Sequence, residues 1–239
     1  MEAHDRAAAE AFPGPDFYEV LAWIHAGLCP ESYMEIGVHS CVSLRIARSE
    51  TLCIGIDPEP RAEDCPVNAR IFRLTSNEFF KRYDPRPILG GKAVDFALID
   101  GLHLFEQALE DFLNLERSMA LRGVVALHDT IPLNRETSAR LRTTEFYTGD
   151  VWKVVPWLRR YRPELEIVTV TTAPTGLTLI RGLNPEHHQS TLDGSISDFA
   201  GLEFDYFERH RGEFLETILN CREAVAAFCR IGGPTSGCR

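Results

Sequence analysis

Tyr33-Met-Glu-Ile-Gly-Val-His-Ser-Cys-Val-Ser-Leu44, followed by Leu52-Cys-Ile-Gly-Ile-Asp57, is the stretch that decides the fold. It reads as strand, tight glycine turn, helix, strand and terminal acid. Gly37 lets backbone approach a ligand where a Cβ would collide, and a helix starting just beyond it would offer free N–H groups to a carboxylate or phosphate. Asp57 ends the second strand at a spacing of about 20 residues, where an acid at a strand tip accepts hydrogen bonds from ribose hydroxyls. The pattern predicts a nucleotide-cofactor site on a doubly wound sheet.

Outward from that core, apolar runs and breaks predict strands over residues 32–36, 52–56, 69–74, 94–99 and 124–127, interleaved with helices over 42–49, 78–83 and 104–119. Arg122-Gly123 reads as the break after the last of these helices, and residues 85–91 as turn material. Val94-Asp-Phe-Ala-Leu-Ile99 is nearly continuously apolar, as a strand buried on both faces of a parallel sheet requires. A helix over 17–28 precedes the sheet, another over 150–161 follows it, and 166–171 with 177–180 form a strand pair around Ala173-Pro-Thr-Gly176. After residue 184 the pattern is helical, over 199–207 and 213–229, and the Gly-Gly-Pro-Thr-Ser-Gly tail reads as frayed. The expected class is α/β, a Rossmann-like doubly wound sheet with N-terminal and C-terminal helical additions. Residues 1–183 form the main domain with its cap helix, and 184–239 a helical extension. Ligands of open parallel sheets bind beyond the carboxyl ends of the strands, so Asp57, Asp100 and Asp129 are expected on one rim.

Composition narrows the partners. A chain of 239 residues that is 44% hydrophobic can bury one large core. A net charge of −10, with no basic cluster interleaved with aromatics, argues against nucleic acid. Seven cysteines without a C-x-x-C pair argue against a disulfide scaffold and a structural zinc site, and read as reduced thiols. Cys29, Cys41, Cys53 and Cys65 recur every twelve residues, but on different elements, so the period reads as coincidence. Met1-Glu-Ala-His-Asp-Arg lacks a basic segment before an apolar run, and no stretch approaches the roughly 18 apolar residues of a membrane span. The expectation is a cytoplasmic protein with a small-molecule partner and no membrane. A homo-oligomer, through the helices after residue 184, stays open.

Glycine content separates the cofactors. A dinucleotide loop wants G-x-G-x-x-G to wrap a pyrophosphate, whereas here Gly37 stands alone, with Ser40 and Cys41 where others would be. Glu35-Ile-Gly-Val, the single glycine and the terminal Asp57 resemble the first motif of class I S-adenosylmethionine-dependent methyltransferases. A second likeness lies in Asp95-Phe-Ala-Leu-Ile-Asp-Gly-Leu-His-Leu-Phe-Glu106 and Leu121-Arg-Gly-Val-Val-Ala-Leu-His-Asp-Thr-Ile-Pro132. These look like the IDG-x-H-x-[YF]-E and GG-V-x-x-x-HD-T pair of a bacterial small-molecule methyltransferase family. The likeness spans residues 32–181, with its motifs in the right order. It implies S-adenosylmethionine as cofactor and a sheet that closes with an antiparallel last strand.

A more distant similarity, to the catechol O-methyltransferases, implies roles. Their E-[LI]-G-x-x-x-G-x-S motif lies over Glu35 to Ser43, with Cys41 replacing the second glycine. Gly37 and Ser43 then inherit contacts to the methionine part of the cofactor, Asp57 the ribose, and Ser76 with Asn77 the adenine. Where that family has D-x-x-K, its Asp on Mg²⁺ and its Lys as base, this chain has Asp100-Gly-Leu-His103, which puts His103 in the base position. The family's Asp-Asn metal pair after strand five becomes Asp129-Thr130, so the amide ligand is missing.

The chemistry suits His103, because an imidazole with a pKa of about 6.5 is largely neutral near pH 7 and accepts a proton without a large shift. The bland alternative is a helix-terminal histidine bonding backbone or solvent. Methyl transfer is an in-line displacement, so the site has to align an electron-rich oxygen with the methyl carbon. Asp100, Asp129 and His128 are the candidate ligands of an optional divalent cation, Mg²⁺ or a similar ion, although a histidine nitrogen suits a transition metal better. Without a cation, these acids face a cationic cofactor and backbone amides. His39 is read as shaping the turn, His187-His188 as a solvated pair. Residues 143–153 read as a lid over the rim, or as simple capping by Asp150 with Trp152 in the core.

The expected function is methylation of a hydroxyl on a small molecule, a sugar or secondary metabolite, with His103, Asp100 and His128 at the chemistry. An NAD-dependent dehydrogenase or epimerase is the alternative enzyme, weakened by the sparse glycines and the lack of a Tyr-x-x-x-Lys. A non-catalytic partner protein on the same fold is the third possibility.

Overall fold

The computed structural model describes residues 2–61, 65–187 and 193–230. The predicted frayed tail and His188 lie outside the described residues. Among the described residues the strands are β1 (Ser32–Ile36), β2 (Leu52–Ile56), β3 (Ala69–Phe72), β4 (Val94–Ile99), β5 (Met119–His128), β6 (Glu166–Val170), β7 (Leu177–Arg181) and β8 (Thr217–Ile218). They form one sheet in the order β3-β2-β1-β4-β5-β7-β6-β8. The first five in that order run parallel to one another, and β7 runs antiparallel to both β5 and β6. This is the expected α/β sheet with its closing antiparallel strand. The order reverses between β1 and β4, the switch point where such sheets open a crevice beyond their strand tips.

Both faces are covered, which is why the central strands read as continuous apolar runs. Met34, Ile36, Ile54, Ile56, Ala97, Ile99, Val125 and Leu127 point to one side. There they meet α3 (Ser76–Arg82), α5 (Phe105–Glu116), α6 (Val154–Tyr161) and α8 (Phe204–Phe214). The alternate residues Tyr33, Cys53, Phe96, Leu98, Val124 and Ala126 face α2 (Phe17–Leu28) and α9 (Arg222–Cys229). Thus the segment after residue 184 contributes to both core layers, through Phe207 and Phe214 on one side and Val225 and Cys229 on the other. Among the described residues no helix is long and apolar enough to cross a membrane.

Four local expectations are corrected. The helix expected over 42–49 is a single 3-10 turn, Leu44–Ile46, because the backbone, left-handed at His39 and Cys41 (φ 39° and 56°) just before it, leaves helical geometry again at Ala47 (ψ 144°). No helix N-terminus therefore follows Gly37. The helix expected to reach Met119 ends at Glu116, and β5 starts at Met119 beside Val94. Arg122-Gly123, read as a break, instead lies inside β5 where the pairing with β4 shifts register, so these residues are a bulge. Cys41 and Cys65, read as thiols, are joined by a disulfide across a sequence separation of 24, with Cα atoms 5.2 Å apart. Sequence spacing could not show this, since it depends on the loops after β1 and β2 lying against each other; Arg61 N–H donates to the His39 carbonyl at 2.7 Å.

Candidate active site

The tips of β1 and β4 touch at the switch point. Gly37 (φ 91°) lies against the backbone of Asp100 so closely that a Cβ there would stand 1.9 Å from the Asp100 carbonyl oxygen. Glycine is thus required by the two strand tips themselves, before any ligand is considered. One strand outward, Asp57 ends β2 and its carboxylate accepts from His39 N–H (2.9 Å) and Glu59 N–H (2.7 Å), which ties the two loops together. His39 shapes this turn through its backbone.

Glu35 and Ser43 lie beneath the loop. Glu35 is fully buried and accepts from Ser43 Oγ (2.5 Å) and Tyr33 Oη (2.8 Å). Burial pushes its carboxyl up to about 8, against the pull of those two hydrogen bonds and with help from the charges of Asp100 and Asp57. Ser76 and Asn77 open α3 behind a Thr75 capping box, and Gln107 of α5 donates to Ser76 Oγ (3.2 Å), Asn77 Oδ1 (3.0 Å) and Asp111 Oδ1 (2.8 Å). Gln107 and Asp111 were not anticipated, although their i, i+4 spacing on one face of α5 could have pointed to them.

On the other side of Gly37, four ionisable groups converge. His128, the last residue of β5, is buried and its Nδ1 lies 3.1 Å from Asp100 Oδ1 and 3.5 Å from Asp129 Oδ1. Burial lowers the imidazole's pKa, but the charges of Asp129 and Asp100 and the hydrogen bond to Asp100 outweigh it, so His128 is pushed up to about 9. It is an imidazolium near neutral pH, with the Phe17 ring stacked on it at a centroid distance of 4.2 Å. Burial would raise Asp100, yet the neighbouring charge and hydrogen bond of His128, with His103, hold it below the usual carboxylate value.

His103 follows Asp100 by one short turn. Its Nδ1 lies 2.8 Å from the Tyr147 carbonyl oxygen and 3.1 Å from Asp129 Oδ2, and its Nε2 lies 3.7 Å from Asp100 Oδ1. A carbonyl can only accept, so Nδ1 is the donor here, and in the neutral imidazole the lone pair then falls on Nε2. Asp129 sits in left-handed backbone (φ 61°), and its Oδ1 accepts from Thr175 Oγ1 at 2.5 Å. The atoms that could share a cation, lying within 4.8 Å of one another, come from Asp100, His103 and Asp129. The anticipated set had His128 in place of His103; the structure instead puts His128 beneath the two carboxylates as their counter-charge.

The segment over 143–153 covers His103, since Tyr147 stacks on its ring with centroids 5.7 Å apart and nearly parallel planes. Gly149 (φ 56°) passes so near that a Cβ would stand 1.8 Å from the His103 carbonyl oxygen. Asp150 does cap a helix, but it is α5, by accepting from Phe105 N–H at 2.8 Å, while Trp152 is buried in the core. Two more residues escaped the sequence reading. Thr175 sits in Ala173-Pro-Thr-Gly176, which signalled only a turn. Tyr18 follows the Asp16 cap of α2, and its phenol pKa is raised by burial and by the charges of Asp100, Glu35 and Asp16.

Residues 34–130 match the family model described as a methyltransferase domain. No curated protein matches the chain. Among solved structures, the O-methyltransferase TomG of Streptomyces achromogenes, involved in tomaymycin synthesis and solved in complex with SAM, is 17% identical with a TM-score of 0.53, covering 77% of this chain and 91% of that one. The cofactor-bound Rv0187 from MTB is 16% identical with a TM-score of 0.53 and coverages of 78% and 90%. The SAH-bound methyltransferase PaMTH1 of Podospora anserina is 12% identical with a TM-score of 0.52 and coverages of 75% and 86%. These likenesses establish the fold, that of the Rossmann-like class I methyltransferases.

Proposed function

We propose, starting from this class I methyltransferase fold and the methyltransferase domain matched over residues 34–130, that the chain moves a methyl group from S-adenosylmethionine to a hydroxyl of a small molecule. The sulfonium cofactor would lie over Gly37, its ribose on Asp57, its adenine toward Ser76 and Asn77, and its methyl aimed at the His103 side of the rim. Asp57 and the acids beyond it favour a cationic ligand over a pyrophosphate, which supports this cofactor over NAD.

The observation that carries the chemistry is that His103 Nδ1 faces two acceptors, the Tyr147 carbonyl at 2.8 Å and Asp129 Oδ2 at 3.1 Å. With that nitrogen donating to the Tyr147 carbonyl and Asp129, Nε2 is the free base. It takes the proton of the acceptor hydroxyl as the oxygen attacks the methyl carbon; the C–O bond forms, the C–S bond breaks, and its electron pair stays on sulfur as a neutral thioether. Asp129 stabilises the imidazolium that results. Such a base contributes about 10²–10⁴-fold in rate. Tyr147, stacked on His103, covers one side of the imidazole.

The close approach of Asp100, His103 and Asp129 supports a second reading, in which these three hold a divalent cation. The mixed oxygen and nitrogen donors suit a transition ion better than Mg²⁺. Such an ion would supply Lewis-acid polarisation of the acceptor oxygen, and His103 bound through Nε2 could not then be the base. Turnover of labelled S-adenosylmethionine on a panel of hydroxylated small molecules separates the readings. With His103 as base, chelator leaves the rate unchanged and His103→Gln lowers it at least about 100-fold. Loss of activity on chelation and its return with Mn²⁺ favours the cation, and no turnover on any acceptor favours a non-catalytic protein.

A further inference from the structure

We propose that Thr175 is a positioning residue of this site, fixing through Asp129 the hydrogen bond that orients His103; the inference rests on the reading of His103 as the base. Thr175 lies in the β6–β7 connection, more than forty residues along the chain from Asp129. Its hydroxyl is buried, and donates to Asp129 Oδ1 at 2.5 Å. A carboxylate is planar, so fixing Oδ1 fixes the direction of Oδ2. That second oxygen is the one 3.1 Å from His103 Nδ1.

The arrangement needs such a fixture because Asp129 is itself held in left-handed backbone, which non-glycine residues adopt only when their surroundings over-determine it. Two separate contacts from the same connection do this. The Thr175 carbonyl accepts from Ile131 N–H at 2.7 Å, and Gly176 (φ 74°) lies flush against Ile131, where a Cβ would meet its side chain at 2.5 Å. These backbone contacts set the path of residues 129–131. The Thr175 hydroxyl reaches the carboxylate and, at 3.4 Å, His128 Nε2, and takes no part in these backbone contacts, so it can be removed without removing the clamp.

The relay also explains why this connection carries threonine beside a cluster of charges. Asp129 is buried, and its Oδ1 faces the His128 ring at 3.5 Å as well as Thr175. Without the hydroxyl nothing holds Oδ1 in place, and the carboxylate is free to turn toward the His128 ring, 3.5 Å from Oδ1, taking Oδ2 away from His103. Nδ1 then keeps only the Tyr147 carbonyl as acceptor.

The test is proton NMR of the imidazole N–H region in the full chain, comparing wild type, Thr175→Val and Thr175→Ser, with the His103 signal assigned by its loss in His103→Gln. A histidine N–H shared with a carboxylate resonates far downfield. Wild type and Thr175→Ser are expected to show that signal. In Thr175→Val it is expected to be lost, or to move upfield toward a carbonyl-bonded position, while the melting temperature stays within a few degrees of wild type and the affinity for S-adenosylhomocysteine within twofold. An unchanged downfield signal in Thr175→Val, or its absence from wild type, overturns the proposal. Loss of S-adenosylhomocysteine binding in wild type would instead strike the cofactor reading, and leaves the NMR comparison to judge Thr175 by itself.

Discussion

Glu35 and Gly37, two positions apart on β1, place opposite demands on the chain. Glu35 is a carboxyl inside the core, held protonated near neutral pH by burial, with its pKa at about 8 against 4.5 for an ordinary glutamate. Between about pH 4.5 and 8 the folded chain keeps a proton that the unfolded chain has released, so this group's contribution is full below 4.5 and is lost as pH rises through 8. Glu35→Gln should therefore flatten the decline of stability across that window when wild type and variant are melted side by side. Parallel curves would mean that Glu35 is ionised in the fold. Gly37→Ala should be much harsher, losing about 3 kcal/mol or more by denaturant titration, because a Cβ 1.9 Å from the Asp100 oxygen forces the β1 and β4 tips apart. A loss under about 1 kcal/mol would show that the tips have room to move. Gly37, Asp57, Asp100 and Asp129 were legible as candidates from strand-end chemistry, and His103 from the family likeness. The proton placement on His103 was not, since it depends on the carbonyl of Tyr147, far away in sequence.

At the scale of elements, the loops after β1 and β2 act as one unit through the Cys41–Cys65 disulfide and the Arg61–His39 backbone bond. A crosslink closing a loop of this length stabilises a fold by about 3 kcal/mol through the unfolded chain. Reduction with excess dithiol, or Cys65→Ser, should lower the melting temperature on the order of 5–10 °C. Identical melts with and without reductant would show that the crosslink contributes nothing. The strands of the sheet were readable because burial on both faces leaves no polar alternation to blur them. The failures share a cause: the missing helix after Gly37 and the bulge at Arg122-Gly123 are set by neighbouring strands and loops, and local propensity gives way to such contacts. Asp150 illustrates the same point, since it caps α5 from across the fold and not the turn it begins.

Over the whole molecule, an acidic chain concentrates its carboxylates Asp57, Asp100 and Asp129 on the carboxyl edge of the sheet, with His128 as an internal counter-charge beneath two of them. That edge is suited to a cationic ligand with hydroxyls to grip. The doubly wound parallel sheet and its closing antiparallel strand followed from the sequence pattern and its family likeness; β8 did not, because a two-residue strand carries no period. The most direct measurement is isothermal titration of the purified full chain with S-adenosylhomocysteine, alongside NAD and the Asp57→Ala variant. The account predicts one site per chain for the nucleoside, at least tenfold weaker in Asp57→Ala, with no heat from NAD. Absence of nucleoside binding by folded wild type, or tighter binding of NAD, would contradict it.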